Sequence, residues 1–253
     1  MYLNLNNPIA ERKTKTVYRD GDKTIKLFVE NYSKADILNE ALNQARVEEG
    51  TDLSIPKLLE VSKIDNRWAL VSEYVEGTPL DKLMEQHPDQ LDEYLNWFVD
   101  IQLYILSKTV PLLNPIKEKY KRKIDSLKDI SDNARYELLQ RLHGMKDHTK
   151  LCHGDYTPSN VIIKPNGEAS IIDWAHVTIG NASADVANTY IQFILDGKEE
   201  LANKYIDLFV QKSGIEKNLI LRWVPIVAAS RKSKGEKDEE EVLNKWIDVI
   251  DFQ

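Results

Sequence analysis

A single cysteine stands in 253 residues, which excludes an internal disulfide framework and any cysteine-based zinc site and fits a reducing compartment. That residue, Cys152, lies between apolar neighbours and is expected to be a small buried side chain rather than a reactive thiol. An excess of positive charge is also missing. The formal net charge is −7 at pH 7, which argues against an electrostatic hold on nucleic acid or an anionic membrane. No apolar run is long enough to span a bilayer, and "MYLNLNNPIA" has neither the basic start nor the apolar core of a secretory leader, so a cytoplasmic location is expected. Internal repeats and low-complexity linkers are absent. What remains is 42% hydrophobic and long enough for a sizeable core, in one large domain or two lobes.

The local signal changes character along the chain. Up to about residue 75 it reads mostly as strands: "TVYR" and "DKTIKLF" alternate around Asp20-Gly21, and "KLLEVSKI" and "RWALVSEYV" around Asp65-Asn66, so two hairpins are expected. Between them, Ser33 with Asp36 three residues on opens a helix whose apolar positions are Ile37, Leu38, Ala41, Leu42 and Ala45, with Gly50 as its stop. After "EGTPL" the pattern is helical, with helices predicted over 79–87, 89–109, 115–129, 132–147, 183–196, 198–213, 215–232 and 238–251. Pro225 is expected to interrupt the seventh. One β-rich island, "CHGDYTPSNVIIKPNGEASIIDW", breaks this helical half.

Within the island, "VIIK" and "EASIID" form a hairpin about Asn166-Gly167, and pairing of the strands brings Asn160 and Asp173 together at its outer ends. A carboxylate and a carboxamide so placed suit a hard cation such as Mg²⁺, which prefers oxygen ligands and keeps room for substrate phosphates. Asp155, upstream on the loop, is placed to accept a proton from a hydroxyl that attacks phosphorus. Taken singly, each of these residues has an ordinary explanation, because Asp and Asn commonly cap turns. The spacing H-x-D-x-x-x-x-N, then a hairpin, then I-D, is what sets the group apart.

In this spacing, with H-G-D in place of H-R-D and I-D-W in place of D-F-G, the chain resembles the aminoglycoside phosphotransferase and choline kinase-like family. The resemblance implies an α+β, protein-kinase-like two-lobed fold. Residues 1–76 would form an N-terminal nucleotide-binding lobe, an antiparallel sheet with one helix, and 77–253 a mainly helical catalytic and substrate-binding lobe. It implies ATP or GTP as phosphate donor, Mg²⁺ held by Asn160 and Asp173, and transfer to a small-molecule hydroxyl with Asp155 as catalytic base. Lys26 in "TIKLF" matches the lysine that sets the triphosphate and Glu40 its helix partner, although Asp36 and Glu48 are within reach as alternatives. Glu73, Tyr74 and Val75 fall where the family contacts the nucleotide base, with Gly77 easing the turn beyond them. His153 is expected to order the loop. Asp185 is expected to brace it, and equally reads as the N-cap of helix 183–196.

One departure is another absence. "IAERKTKTVYR", where protein kinases carry a glycine-rich phosphate-covering turn, has no glycine, so the polar tip Lys13–Thr16 is left to supply donors. The acceptor is open: an aminoglycoside, which would make the activity one of antibiotic resistance, stands beside amino alcohols, thiamine-like compounds and modified sugars. The acidic C-terminal "EKDEEEVLNKWIDVIDFQ" would suit a cationic acceptor, but also reads as a solvated helix face. An atypical protein kinase and a nucleotide-binding pseudokinase are the alternatives.

Overall fold

The computed structural model describes residues 4–248. Along the chain lie strands β1 (Pro8–Glu11), β2 (Lys15–Asp20) and β3 (Lys23–Phe28), helix α1 (Lys34–Gly50), strands β4 (Leu58–Ile64), β5 (Arg67–Glu73) and β6 (Thr78–Pro79), and helix α2 (Leu80–Gln86). Helices α3 (Leu91–Leu106), α4 (Ile116–Ser126) and α5 (Asp132–Gly144) precede strands β7 (Lys150–Cys152), β8 (Val161–Ile163), β9 (Ala169–Ile171) and β10 (Thr178–Gly180). Helices α6 (Ala182–Leu195), α7 (Glu199–Ser213), α8 (Lys217–Leu221), α9 (Val224–Lys232) and α10 (Glu240–Asp248) follow. Two compact units result, Met1–Gln90 with Pro158–His176, and Leu91–Thr157 with Val177–Gln253.

In the first unit β1 to β5 form one antiparallel sheet ordered β1-β2-β3-β5-β4. Both expected hairpins are present. Asp65 and Asn66 take φ of 46° and 64°, as a two-residue turn between twisted strands requires. The other tip is Gly21-Asp22, one residue later than the sequence pattern predicts, because Asp20 already pairs with Lys23 and the glycine takes the positive φ. Along β3 the period of two sends Ile25 and Leu27 against Ala69 and Val71 on one face, and Phe28 against Leu70, Ile37 and Ala41 on the α1 face. Lys26 shares the parity of Phe28, so it points toward α1.

Ser33 caps α1 by accepting from the Asp36 N–H at 3.3 Å. The stripe that α1 buries differs from the expected one. Leu38 and Leu42 are 44% and 47% exposed, while Glu40, Asn43 and Gln44 are buried. Polar burial needs partners: Gln44 donates to the Pro56 carbonyl at 2.8 Å, and Glu40 meets a lysine described below.

A second, three-stranded sheet in this unit, β6-β8-β9, carries the predicted hairpin, with β6 added at its edge by pairing of Thr78 with Ile163 and Pro79 with Ile162. Gly77 enters it with φ of 153°, and a Cβ there would collide with the Ile163 carbonyl, so only glycine fits.

The second unit is helical, with the short pair β7–β10 as its strands. The island is therefore broader than the sequence pattern indicates, since 150–152 and 178–180 also pair. Phe98 of α3 stacks on Tyr156 at 4.3 Å and meets Phe193 and Tyr205 edge-on or tilted, forming an aromatic core. The expected helix 215–232 is split into α8 and α9, with Pro225 in the first turn of α9, where its missing N–H costs nothing. Of the expected helix 238–251, α10 covers Glu240–Asp248, and 249–251 lie outside the described residues. Among the described residues no helix is long and apolar enough to cross a membrane.

Candidate active site

The β8–β9 hairpin places the first cluster. Val161 pairs with Ile171, and the Ile172 N–H donates to the Asn160 carbonyl at 3.0 Å, so Asn160 and Asp173 leave the open end of the hairpin side by side. Asp173 has φ of 64°, a left-handed conformation that Asp tolerates at some cost and that is typical of functional positions.

Lys26 Nζ lies 2.8 Å from Glu40 Oε1 and 2.9 Å from Asp173 Oδ1, and Lys15 Nζ lies 3.4 Å from Asp173 Oδ2. Lys26, Glu40 and Asp173 thus meet, whereas Glu48, an alternative partner, instead accepts from the Leu58 N–H at 2.9 Å. Burial alone would raise the Asp173 carboxyl, but Lys26 and then Lys15 more than offset it and hold it well below the usual carboxylate range. Burial would likewise lower the Lys26 ammonium, and Asp173 followed by Glu40 raises it above its ordinary value. Both groups are therefore charged at neutral pH.

A group with a depressed folded-state pKa stabilises above its unfolded value and loses that contribution as pH falls. Wild type should accordingly exceed Asp173→Asn in unfolding free energy at pH 7, and the gap should narrow progressively below about pH 4. Urea titrations at several pH values measure this, and a gap independent of pH would contradict the ion cluster.

A cavity of about 450 Å³ opens beside this cluster within the first unit, lined by Lys15, Lys26, Asn160 and Asp173 and also by Glu73, Tyr74 and Val75. That volume is in the range of small-ligand sites. The N–H groups of Glu73 and Tyr74 are taken, donating to the Lys57 and Asp22 carbonyls at 2.9 and 2.7 Å. Among the described residues the Val75 N–H has no backbone partner. Arg19 stacks on the Tyr74 ring at 3.9 Å and pairs with Glu76 at 2.8 Å, fixing this connection. Two lining residues were not singled out in the sequence. Lys15 is one position within a general polar tip. Asp81, in the first turn of α2, has an Oδ1 that is buried without a hydrogen-bond partner among the described residues.

The second cluster follows β7 in the other unit. His153 is fully buried, and its Nδ1 accepts from the Asp155 N–H at 3.3 Å. Gly154 takes φ of 78°; its N–H donates to Asp185 Oδ1 at 2.7 Å, and its carbonyl accepts from Asn188 Nδ2 at 3.0 Å. Tyr156, next along, donates its hydroxyl to the Phe98 carbonyl and its own carbonyl accepts from Thr189 Oγ1, each at 2.8 Å. The peptide around Asp155 is pinned on both sides while Asp155 itself stays half-buried.

Asp185 does not cap α6. Asn181 does, accepting from the Ser183 N–H at 3.0 Å, because the helix begins earlier, at Ala182. Asp185 instead sits buried one turn inside, accepting also from Gln102 Nε2 at 3.2 Å. Burial raises its carboxyl above the ordinary value, against the opposing pull of the Gly154 N–H and of His153. Asn188 and Thr189 fall three and four residues beyond Asp185, on one helix face, a spacing that was available in the sequence. Gln102 carried no comparable signal. Cys152 is buried, and burial pushes its thiol well up, as a structural cysteine requires.

No group of three or more His, Cys, Asp and Glu side chains is placed to hold a metal among the described residues. The donors present are one carboxylate and one carboxamide, a set that fits a hard cation sharing its remaining positions with phosphate and water.

No curated protein matches the chain. Among solved structures, a thermostable mutant of aminoglycoside phosphotransferase APH(4)-Ia in ternary complex with AMP-PNP and hygromycin B is similar at TM-score 0.69 and 14% identity, covering 96% of this chain and 91% of that one. Aminoglycoside-3'-phosphotransferase of type VIII gives 0.66 at 14%, with 90% and 93% covered. The GDP complex of wild-type aminoglycoside 2'-phosphotransferase-IIIa gives 0.60 at 16%, with 99% and 93% covered. These likenesses establish the α+β, protein-kinase-like fold. The family model described as "Phosphotransferase enzyme family" (APH) matches residues 13–211, from the glycine-free tip through both clusters and into α7. The chain belongs to that family.

Proposed function

We propose that the protein transfers the γ-phosphate of ATP or GTP to a hydroxyl of a small molecule, with residues 1–76 serving nucleotide binding and 77–253 catalysis and acceptor binding. The observation that carries this reading is the Lys26–Glu40–Asp173 ion cluster beside the cavity. Burying three charges costs stability unless they are fully paired, and a protein that needed only packing would do better with apolar residues there. A triphosphate gives the arrangement a purpose.

In this reading Lys26 neutralises the α- and β-phosphates, oriented by Glu40, and Lys15 supplies from the glycine-free tip the charge that backbone N–H groups supply elsewhere. The Val75 N–H, with Glu73 and Tyr74 around it, meets the base, and Asp81 Oδ1 accepts from a hydroxyl of the nucleotide sugar. Asn160 and Asp173 would hold Mg²⁺, which when bound offsets the charge of the phosphates. Asp155 accepts the acceptor's hydroxyl proton as the oxygen bonds to the γ-phosphorus, and the bond to the β–γ bridging oxygen breaks to release the nucleoside diphosphate. His153 and Asp185 hold the loop through Asp155 N–H and Gly154 N–H, which keeps the carboxylate positioned.

Nucleoside diphosphate release by purified protein, measured with ATP or GTP across a panel of hydroxyl compounds that includes aminoglycosides, tests the reading. Acceptor-dependent release is expected; binding of nucleotide with no release for any acceptor would favour a pseudokinase.

A further inference from the structure

The loop that carries Asp155 is fastened by a chain of buried polar groups that extends beyond the loop itself. Asp185 of α6 accepts from the Gly154 N–H with Oδ1 at 2.7 Å, and its Oδ2 accepts from Gln102 Nε2 at 3.2 Å. The other end of the Gln102 amide, Oε1, accepts from the Tyr205 hydroxyl of α7. Gln102 lies one turn beyond Phe98 on α3, so the helix face that stacks on Tyr156 also presents the amide. Tyr205 is held by ring contacts with Phe98, Phe193 and Phe209, at centroid distances of 5.8, 5.6 and 6.5 Å. Three helices thus converge on one loop peptide.

The chain of bonds has a direction. The Tyr205 O–H donates to the amide oxygen, which turns the amide N–H groups toward Asp185; the reverse orientation would set oxygen against oxygen. Both Asp185 oxygens then face N–H donors, an arrangement that suits the carboxylate anion, and its charge strengthens the bond to Gly154. Burial first raises the Asp185 carboxyl, and the Gly154 N–H, His153 and the Gln102 amide each pull it back. Gln102 and Tyr205 are both fully buried among aromatic rings. An apolar side chain in place of Gln102 would avoid the cost of desolvating an amide, so packing alone gives no reason for a glutamine there. Directing Asp185 does.

We propose that Gln102 and Tyr205 are positioning residues for phosphotransfer: the Tyr205 hydroxyl orients the Gln102 amide, the amide holds the Asp185 carboxylate, and the carboxylate fixes Gly154 and with it the adjoining Asp155. This rests on the reading of Asp155 as the group that takes the acceptor's proton. Both residues act through Asp185, and their leverage is positional, since a displacement of about 1 Å at a catalytic group costs on the order of 10²-fold in rate.

Gln102→Met keeps the length of the side chain and removes the donor. It should lower kcat by about 10- to 100-fold while the KM for ATP stays as in wild type, since neither Gln102 nor Tyr205 lines the cavity of the first unit. Tyr205→Phe removes one hydroxyl and preserves the ring packing, and should lower kcat by about 3- to 10-fold. In an Asp185→Asn background Gln102→Met should cost nothing further, because a residue that acts through another has no separate effect once that other is changed. The Gly154 amide proton gives a readout independent of activity, and ¹⁵N-glycine labelling leaves only ten glycines to observe. Its signal should lie downfield in wild type, as a bond to a carboxylate makes it, and move upfield in Gln102→Met and in Tyr205→Phe, with circular dichroism melts showing both folded. Should Gln102→Met or Asp185→Asn fail to fold, Tyr205→Phe decides. Wild-type kcat in the folded variants, a Gly154 signal that stays in place, or losses that add in full to that of Asp185→Asn would each overturn the proposal. Absence of turnover by wild type with every acceptor would instead overturn the phosphotransferase reading on which it rests.

Discussion

Asp155→Asn is expected to lower phosphotransfer by about 10²- to 10⁴-fold. The substitution keeps the shape and removes the group that accepts the hydroxyl proton. The backbone that holds the loop does not depend on the Asp155 carboxylate, since the Gly154 N–H, the Gly154 carbonyl and the Tyr156 hydroxyl are tied to Asp185, Asn188 and Phe98. The folded state should therefore persist, as a circular dichroism melt can verify, and the KM for nucleotide should change little. Loss of kcat at constant nucleotide KM distinguishes a missing base from a damaged nucleotide site. A variant turning over at the wild-type rate would remove Asp155 from the mechanism.

Lys26→Met carries two expected effects that can be separated. Activity should fall by about 10²- to 10³-fold, the usual loss when one preorganised charge partner of a developing phosphate charge is removed. Stability should fall as well, by roughly 3–5 kcal/mol for breaking a buried pair, toward the low end because Lys15 still reaches Asp173 at 3.4 Å. The double substitution Lys26→Met with Glu40→Leu takes away the stranded carboxylate and should restore much of the stability, read by urea denaturation, without restoring activity. Recovery of both together would mean that the cluster is structural only.

Much of this was legible in the sequence because the signals were local. Turn chemistry gave both N-terminal hairpins and the β8–β9 hairpin, whereas Lys26 stood out only through the family resemblance. Other parts were illegible for physical reasons. β6, β7 and β10 are two or three residues long, too short to show alternation, and exist through pairing with distant segments. On α1 the apolar stripe pointed to Leu38 and Leu42, yet tertiary demands bury Glu40 and Gln44 instead. Asp185 offered two explanations at once, a cap and a brace, and only the position of the helix start at Ala182 separates them.

The central claim is transfer of phosphate to a small-molecule hydroxyl, and phosphorus NMR of a reaction containing protein, Mg²⁺, ATP and a hydroxyl acceptor tests it most directly. A phosphomonoester signal on the acceptor should grow in step with nucleoside diphosphate, and should be lost with Asp155→Asn. Diphosphate formed with only inorganic phosphate, or with phosphate on the protein itself, would contradict it.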